Sequence, residues 1–155
     1  MIKLYRNLYL EVKNRSLDLD APGMCRLQTG CAVIVGGDKQ GLPALAAEDI
    51  EWIIPGEDWP LAGTHRAHAG LADLLQKTSE TMETSFMERR EFVAQGDRVL
   101  VVGFARGRIK ATNRTWEDHW VFAITVRNGK VTNIREYVDT QALARASEMA
   151  ASGLA

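Results

Sequence analysis

Gly96-Asp97 and Asn128-Gly129 divide the last third of this 155-residue chain into long strand-like runs joined by very short reversals, which leaves few architectures open. The first run begins at Phe92-Val93-Ala94, breaks at Gly96-Asp97 and resumes over 98–105 as Arg-Val-Leu-Val-Val-Gly-Phe-Ala. A second covers about 115–126, and a third covers 131–138 after Asn128-Gly129, the strongest short-range hairpin signal. Asp139 or Thr140 can cap a closing helix that continues through Leu143 and Met149. A hairpin sheet of this kind needs a helix layer over one face, and the earlier part of the chain can supply it.

Composition excludes several function classes. The formal net charge of -1, with Lys and Arg scattered, gives no basic footprint for nucleic acid. No apolar run approaches the roughly 20 residues of a membrane span. The first 20 residues are interrupted by Lys3, Arg6, Glu11 and Lys13, so they carry no signal-peptide core, and cytoplasmic residence is expected. Cys25 and Cys31 match no metal or redox spacing and read as buried thiols. No glycine-rich phosphate loop is present, so no cofactor is implied.

The expected organisation is an N-terminal extension over 1–23, ended by Asp20-Ala21-Pro22-Gly23, and one domain over 24–150. Within it, 24–36 is a weak helix candidate and 42–47 a short helix. The alternation of Ile50, Trp52 and Ile54 predicts a strand over 49–54, and 55–63 reads as a loop. Leu71, Leu74, Leu75, Thr78 and Met82 recur at helical spacing and predict a helix over 67–82. A strand over 83–94 leads into the final hairpins. The fold class is α+β: a cone-shaped, curved antiparallel sheet wrapped around a small helix layer and enclosing an apolar pocket. Residues 99–102 are apolar on both faces, and helices are too few to cover both. A two-fold copy of the chain is therefore expected on the outer sheet face.

The segment Glu48-Asp49-Ile50-Glu51-Trp52-Ile53-Ile54-Pro55-Gly56, then Ala62-Gly63-Thr64 and Gly70-Leu71, resembles the first half of a SnoaL-like domain. Gly96-Asp97-Arg98-Val99, Asn128-Gly129-Lys130-Val131 and Arg135-Glu136-Tyr137-Val138-Asp139 resemble its second half. This superfamily includes nuclear transport factor, ketosteroid isomerase, SnoaL polyketide cyclase and limonene epoxide hydrolase. The resemblance covers about residues 30–146. It implies a cone-shaped α+β barrel with an apolar pocket, usually in a homodimer. The isomerase's base and two oxyanion-hole residues would fall near Ile54, Gly30 and Phe122, none of which can do that work. The cyclase and the epoxide hydrolase place an acid on the last strand, and that offset falls on Glu136. The cyclase-type histidine would fall on Phe122, with His119 three positions earlier.

Everything then depends on the face that Glu136 occupies. A three-residue loop over 127–129 pairs Trp120 with Glu136 and Phe122 with Ile134, and it gathers Trp116, Asp118, Trp120, Phe122, Ile124, Ile134, Glu136 and Val138 on one face, as expected of a pocket wall. This is the preferred register. A two-residue Asn-Gly turn slips the pairing by one, so that Glu136 meets Val121 on the opposite face.

A carboxyl among aromatic side chains holds its proton more tightly and suits general acid–base work. The expected catalytic residues are Glu136 and Asp118. Substrate contacts are expected from Trp52, Trp59, Phe86, Phe104, Arg106, Trp120, Phe122 and Ile134, with Trp59 either a loop anchor or a lid over the pocket mouth. His65 and His68 lack a third ligand, so no metal is expected. The function indicated is cofactor-independent acid–base catalysis on a small apolar molecule. A non-catalytic homodimeric binding module is the second reading.

Overall fold

A computed structural model describes residues 41–148. The expected extension over 1–23, the helix candidate over 24–36 and both cysteines lie outside the described residues. The elements are α1 (Gly41–Leu45), β1 (Ala46–Ile54), β2 (Gly63–Arg66), α2 (Ala67–Thr81), β3 (Met82–Gln95), β4 (Arg98–Ile109), β5 (Thr115–Arg127), β6 (Lys130–Tyr137) and α3 (Thr140–Ser147). One curved, unclosed six-stranded sheet runs in the order β2-β1-β6-β5-β4-β3. Every pairing is antiparallel except β1 with β6, which run parallel. The four-residue β2 begins at the last residue of the expected loop and fills the gap before α2, where no strand was expected.

Alternation decides the two faces. Val99, Val101, Ala105 and Ile109 of β4 are buried on the inner face, with Trp116, Asp118 and Trp120 of β5. Leu71 and Leu74 of α2 and Leu143 and Ala146 of α3 complete the core from the helix side. Asp139 is the N-cap of α3; its Oδ1 accepts from the Ala142 N–H at 2.9 Å, as the sequence predicts.

Glycines let the inner aromatic side chains lie against the sheet. Trp120 is paired across the strands with Gly103, and Trp116 with Gly107. A Cβ at Gly107 would meet the Glu83 carbonyl oxygen and come within 2.8 Å of Cζ2 of Trp116. Large indoles therefore occupy space that a side chain on β4 would otherwise fill.

The β5–β6 turn corrects the preferred register. Arg127 pairs with Lys130, so the turn has two residues, Asn128 and Gly129, and not three. Their φ angles of 51° and 73° are both positive, as the type I′ turn requires. Taken alone, this turn would send Glu136 to the outer face. A bulge prevents it. Val126 pairs with Val131 but Thr125 pairs with Asn133, which leaves Thr132 as the extra residue. The Val126 N–H turns away to the Asp97 carbonyl at 2.8 Å, tying the two reversals together. Beyond the bulge Glu136 pairs with Phe122, and Ile134 with Ile124. The expected face is recovered with different cross-strand partners.

Candidate active site

The inner face of β5 carries Trp116, Asp118, Trp120 and Phe122 at alternate positions. The neighbouring β6 carries Glu136, and β1, on its far side, carries Trp52 and Ile54. With α2 and α3 they enclose a cavity of about 180 Å³. Leu74, Leu75 and Thr78 of α2 line one side, and Val138 and Leu143 close the end next to α3. Apolar cavities of roughly 150 Å³ admit benzene, so this volume suits a substituted ring.

Glu136 is partly buried in this lining. Its Oε1 accepts the indole N–H of Trp52 at 2.6 Å. Phe122 meets Trp52 edge to face at 6.0 Å between ring centres and Trp120 at 4.9 Å. Burial among these rings raises the Glu136 carboxyl from its ordinary 4.5 to about 7. The Trp52 hydrogen bond opposes the rise, and the nearby charge of Asp118 adds to it. At neutral pH both protonation states are therefore populated, the condition for a group that takes and returns a proton.

Asp118 is 5% exposed, and its Oδ1 accepts the backbone N–H of Asp139 at 2.8 Å. Its carboxyl is also raised. Burial is the main cause, the Asp139 N–H opposes it, the charge of Asp139 adds to it, and His119 lowers it. Asp118 therefore connects the cavity to the capped start of α3.

The linkage for Glu136 follows from the direction of its shift. The folded state binds the proton more tightly than the unfolded chain. The resulting stabilisation is full below the unfolded value near 4.5 and is lost as pH rises through about 7. Glu136→Gln is thus expected to be more stable than the parent at pH 8 by about 1–3 kcal/mol, with the gap closing towards pH 5. Urea unfolding at the two pH values checks this. A variant less stable at pH 8 would contradict it.

Of the residues expected at the site, the cavity brings together Glu136, Asp118, Trp52, Trp59, Trp120 and Phe122. Ile134 is fully buried in the core and does not line the cavity. Phe86, Phe104 and Arg106 lie on the outer face, a correction with a simple cause. On β4 the even positions point outward, and Phe86 on β3 pairs with Arg106. There the Arg106 guanidinium sits 5.0 Å over the Phe86 ring, and Phe104 stacks on His119 at 5.0 Å. Trp59 is 4% exposed and forms part of the wall, the packed anchor of the two readings rather than the lid.

Trp116 and Val138, expected on the same face as Glu136, also line the cavity, whereas Ile54, Leu61, Leu74, Leu75, Thr78, Met82, Thr84, Met87, Ala105 and Leu143 were not expected there. His65 and His68 instead contact the backbone carbonyls of Leu61 at 3.0 Å and Ala46 at 3.3 Å. Among the described residues no His, Cys, Asp and Glu group is placed to hold a metal ion, and no helix is long and apolar enough to cross a membrane.

A curved, unclosed six-stranded α+β sheet over a few helices is the architecture shared with proteins of NTF2-like and ketosteroid isomerase-like fold. The SnoaL-like domain model matches residues 28–134, and the chain belongs to that family. It is similar to an NTF2-like protein from Burkholderia xenovorans, with 67% identity over 81% of this chain and 95% of that one and a TM-score of 0.73. TerC, crystallised with polyporic acid, is 28% identical over 83% and 100% of the two chains, with a TM-score of 0.68. A candidate SnoaL-like polyketide cyclase from Mesorhizobium loti shares the fold at 24% identity, over 72% and 95%, with a TM-score of 0.63. No curated protein matches the chain.

Proposed function

We propose that this protein is a cofactor-independent acid–base enzyme of the isomerase, cyclase or hydrolase type, acting on a small, largely apolar ring compound. The observation that carries the reading is Glu136, a carboxyl raised to about 7 in an aromatic-lined cavity with one oxygen held by Trp52. That hydrogen bond fixes the carboxylate plane and leaves Oε2 for proton transfer. Glu136 removes a proton from carbon next to a carbonyl, or from a water, and returns it to another position of the ligand. Asp118 is the second acid, oriented by the Asp139 N–H. That TerC, 28% identical, was crystallised with polyporic acid supports a small organic molecule as the ligand. A homodimer through the outer sheet face belongs to the same proposal. Phe86, Val93, Leu100 and Tyr137 are exposed there at 37–54%, and a second copy would cover them.

The reaction class is tested by incubating the protein in heavy water with small cyclic ketones, with and without an amino substituent. Proton NMR then follows exchange next to the carbonyl. Exchange above the buffer rate is expected. Exchange no faster than buffer, or equally fast with Glu136→Gln, would sink the assignment.

A further inference from the structure

Asp118 stands between Trp116 and Trp120 on one face of β5, and all three are at least nine-tenths buried. Successive same-face residues on a strand are about 7 Å apart, so an indole flanks the carboxylate on each side. Oδ1 is occupied by the Asp139 N–H, while Oδ2 has no partner among the described residues. No described Lys, Arg or His lines the cavity, so neither of its acids is paired with a cation there.

The lining is also poor in donors. The Trp52 N–H is committed to Glu136, and the Thr78 hydroxyl to the Leu74 carbonyl at 2.8 Å. The Nε1 atoms of Trp116 and Trp120 are buried, closed to solvent and without partners. Those indoles therefore offer a ligand their ring surfaces and not their N–H groups. A cavity that presents free carboxylate oxygens and aromatic faces is matched to a ligand that brings donors and positive charge. A desolvated cation is attracted to the faces of aromatic rings, and a hydrogen bond from a charged donor to a carboxylate is stronger than a neutral one. An anionic ligand would face two carboxylates with no cationic side chain among the described residues that line the cavity.

We propose that the cavity binds a protonated amine, its ammonium group on Asp118 between Trp116 and Trp120, with the ligand's ring extending towards Glu136. This rests on the cavity being the ligand site, but it does not require that Glu136 catalyse anything. The ammonium donates to Oδ2 of Asp118, which leaves the cap of α3 intact. Its positive charge compensates the buried carboxylate.

The test is a calorimetric titration at pH 8 with three probes of one shape: benzylamine, benzyl alcohol and benzoate. Benzylamine is expected to bind at least tenfold more tightly than the other two. Asp118→Asn keeps an oxygen for the Asp139 N–H and is expected to weaken benzylamine about tenfold, with little effect on benzyl alcohol. Equal or tighter binding of benzyl alcohol or benzoate overturns the proposal, as does undetectable benzylamine binding at millimolar concentration. Retained amine binding by Asp118→Asn, checked for folding by circular dichroism, also overturns it. The enzymatic reading fails separately, through Glu136-independent exchange with any ketone.

Discussion

Glu136→Gln is expected to fold and to lose about 10²- to 10⁴-fold in turnover, the range set by removing a positioned general base or acid. The substitution is close to isosteric. Its amide oxygen can still accept the Trp52 indole N–H that now reaches Oε1 at 2.6 Å, so the aromatic wall of Trp52, Phe122 and Trp120 keeps its support. What disappears is the ability to gain and release a proton near pH 7. Asp118 cannot replace it, because one of its oxygens is committed to the Asp139 N–H and it lies beside the α3 cap. The loss should appear mainly in kcat, since the ring-binding surfaces remain. A variant that keeps turnover within a few-fold of the parent would remove Glu136 from the chemistry.

Gly103→Ala is the substitution with the largest expected effect on stability. Its Cβ would lie 2.5 Å from the Glu88 carbonyl oxygen and 2.5 Å from Cε2 of Trp120, closer than real contacts allow. Neither neighbour can yield cheaply. The carbonyl belongs to the β3–β4 ladder, and Trp120 is wedged between Gly103 and Phe122. Overpacking a filled site typically costs 1–3 kcal/mol, and strand displacement brings this case to about 3 kcal/mol or more. Because Trp120 lines the cavity, the ligand site should be disturbed as well. Chemical denaturation of Gly103→Ala beside Gly96→Ala separates the causes. At Gly96 a Cβ meets nothing within 4 Å, and the cost there comes only from its positive φ of 59°.

Long elements were legible because their signals are local and repeated. The helical spacing of Leu71, Leu74 and Leu75 predicts α2, and the two reversals at Gly96-Asp97 and Asn128-Gly129 predict the β3–β4 and β5–β6 hairpins. The face of Glu136 was legible only in part. Asn128-Gly129 specifies a two-residue turn, which alone gives the wrong face, and nothing about Thr132 marks it as a bulge. The correction comes from packing: Ile134, now wholly buried, would otherwise lie on the outer face. On β4 the parity was hidden because Val99, Leu100, Val101 and Val102 are all apolar. Gly103 and Gly107 were the better guide, since small residues on one parity leave room for the indoles facing them. Strand β2 has neither length nor alternation. The parallel β1–β6 pairing joins residues more than 80 positions apart, a separation that no local pattern reports. The apolar stripe of α2 signals burial, but it cannot distinguish contact with a packed core from contact with a cavity.

The proposed chemistry needs a carboxyl whose proton affinity is shifted by burial, and that shift can be read directly. Carbon-13 NMR titration of the Glu136 side-chain carboxyl, assigned by its absence in Glu136→Gln, should give a midpoint of about 7. A midpoint near the ordinary 4.5 would mean that Glu136 is a solvated strand residue, and the proposed chemistry would lose its proton carrier.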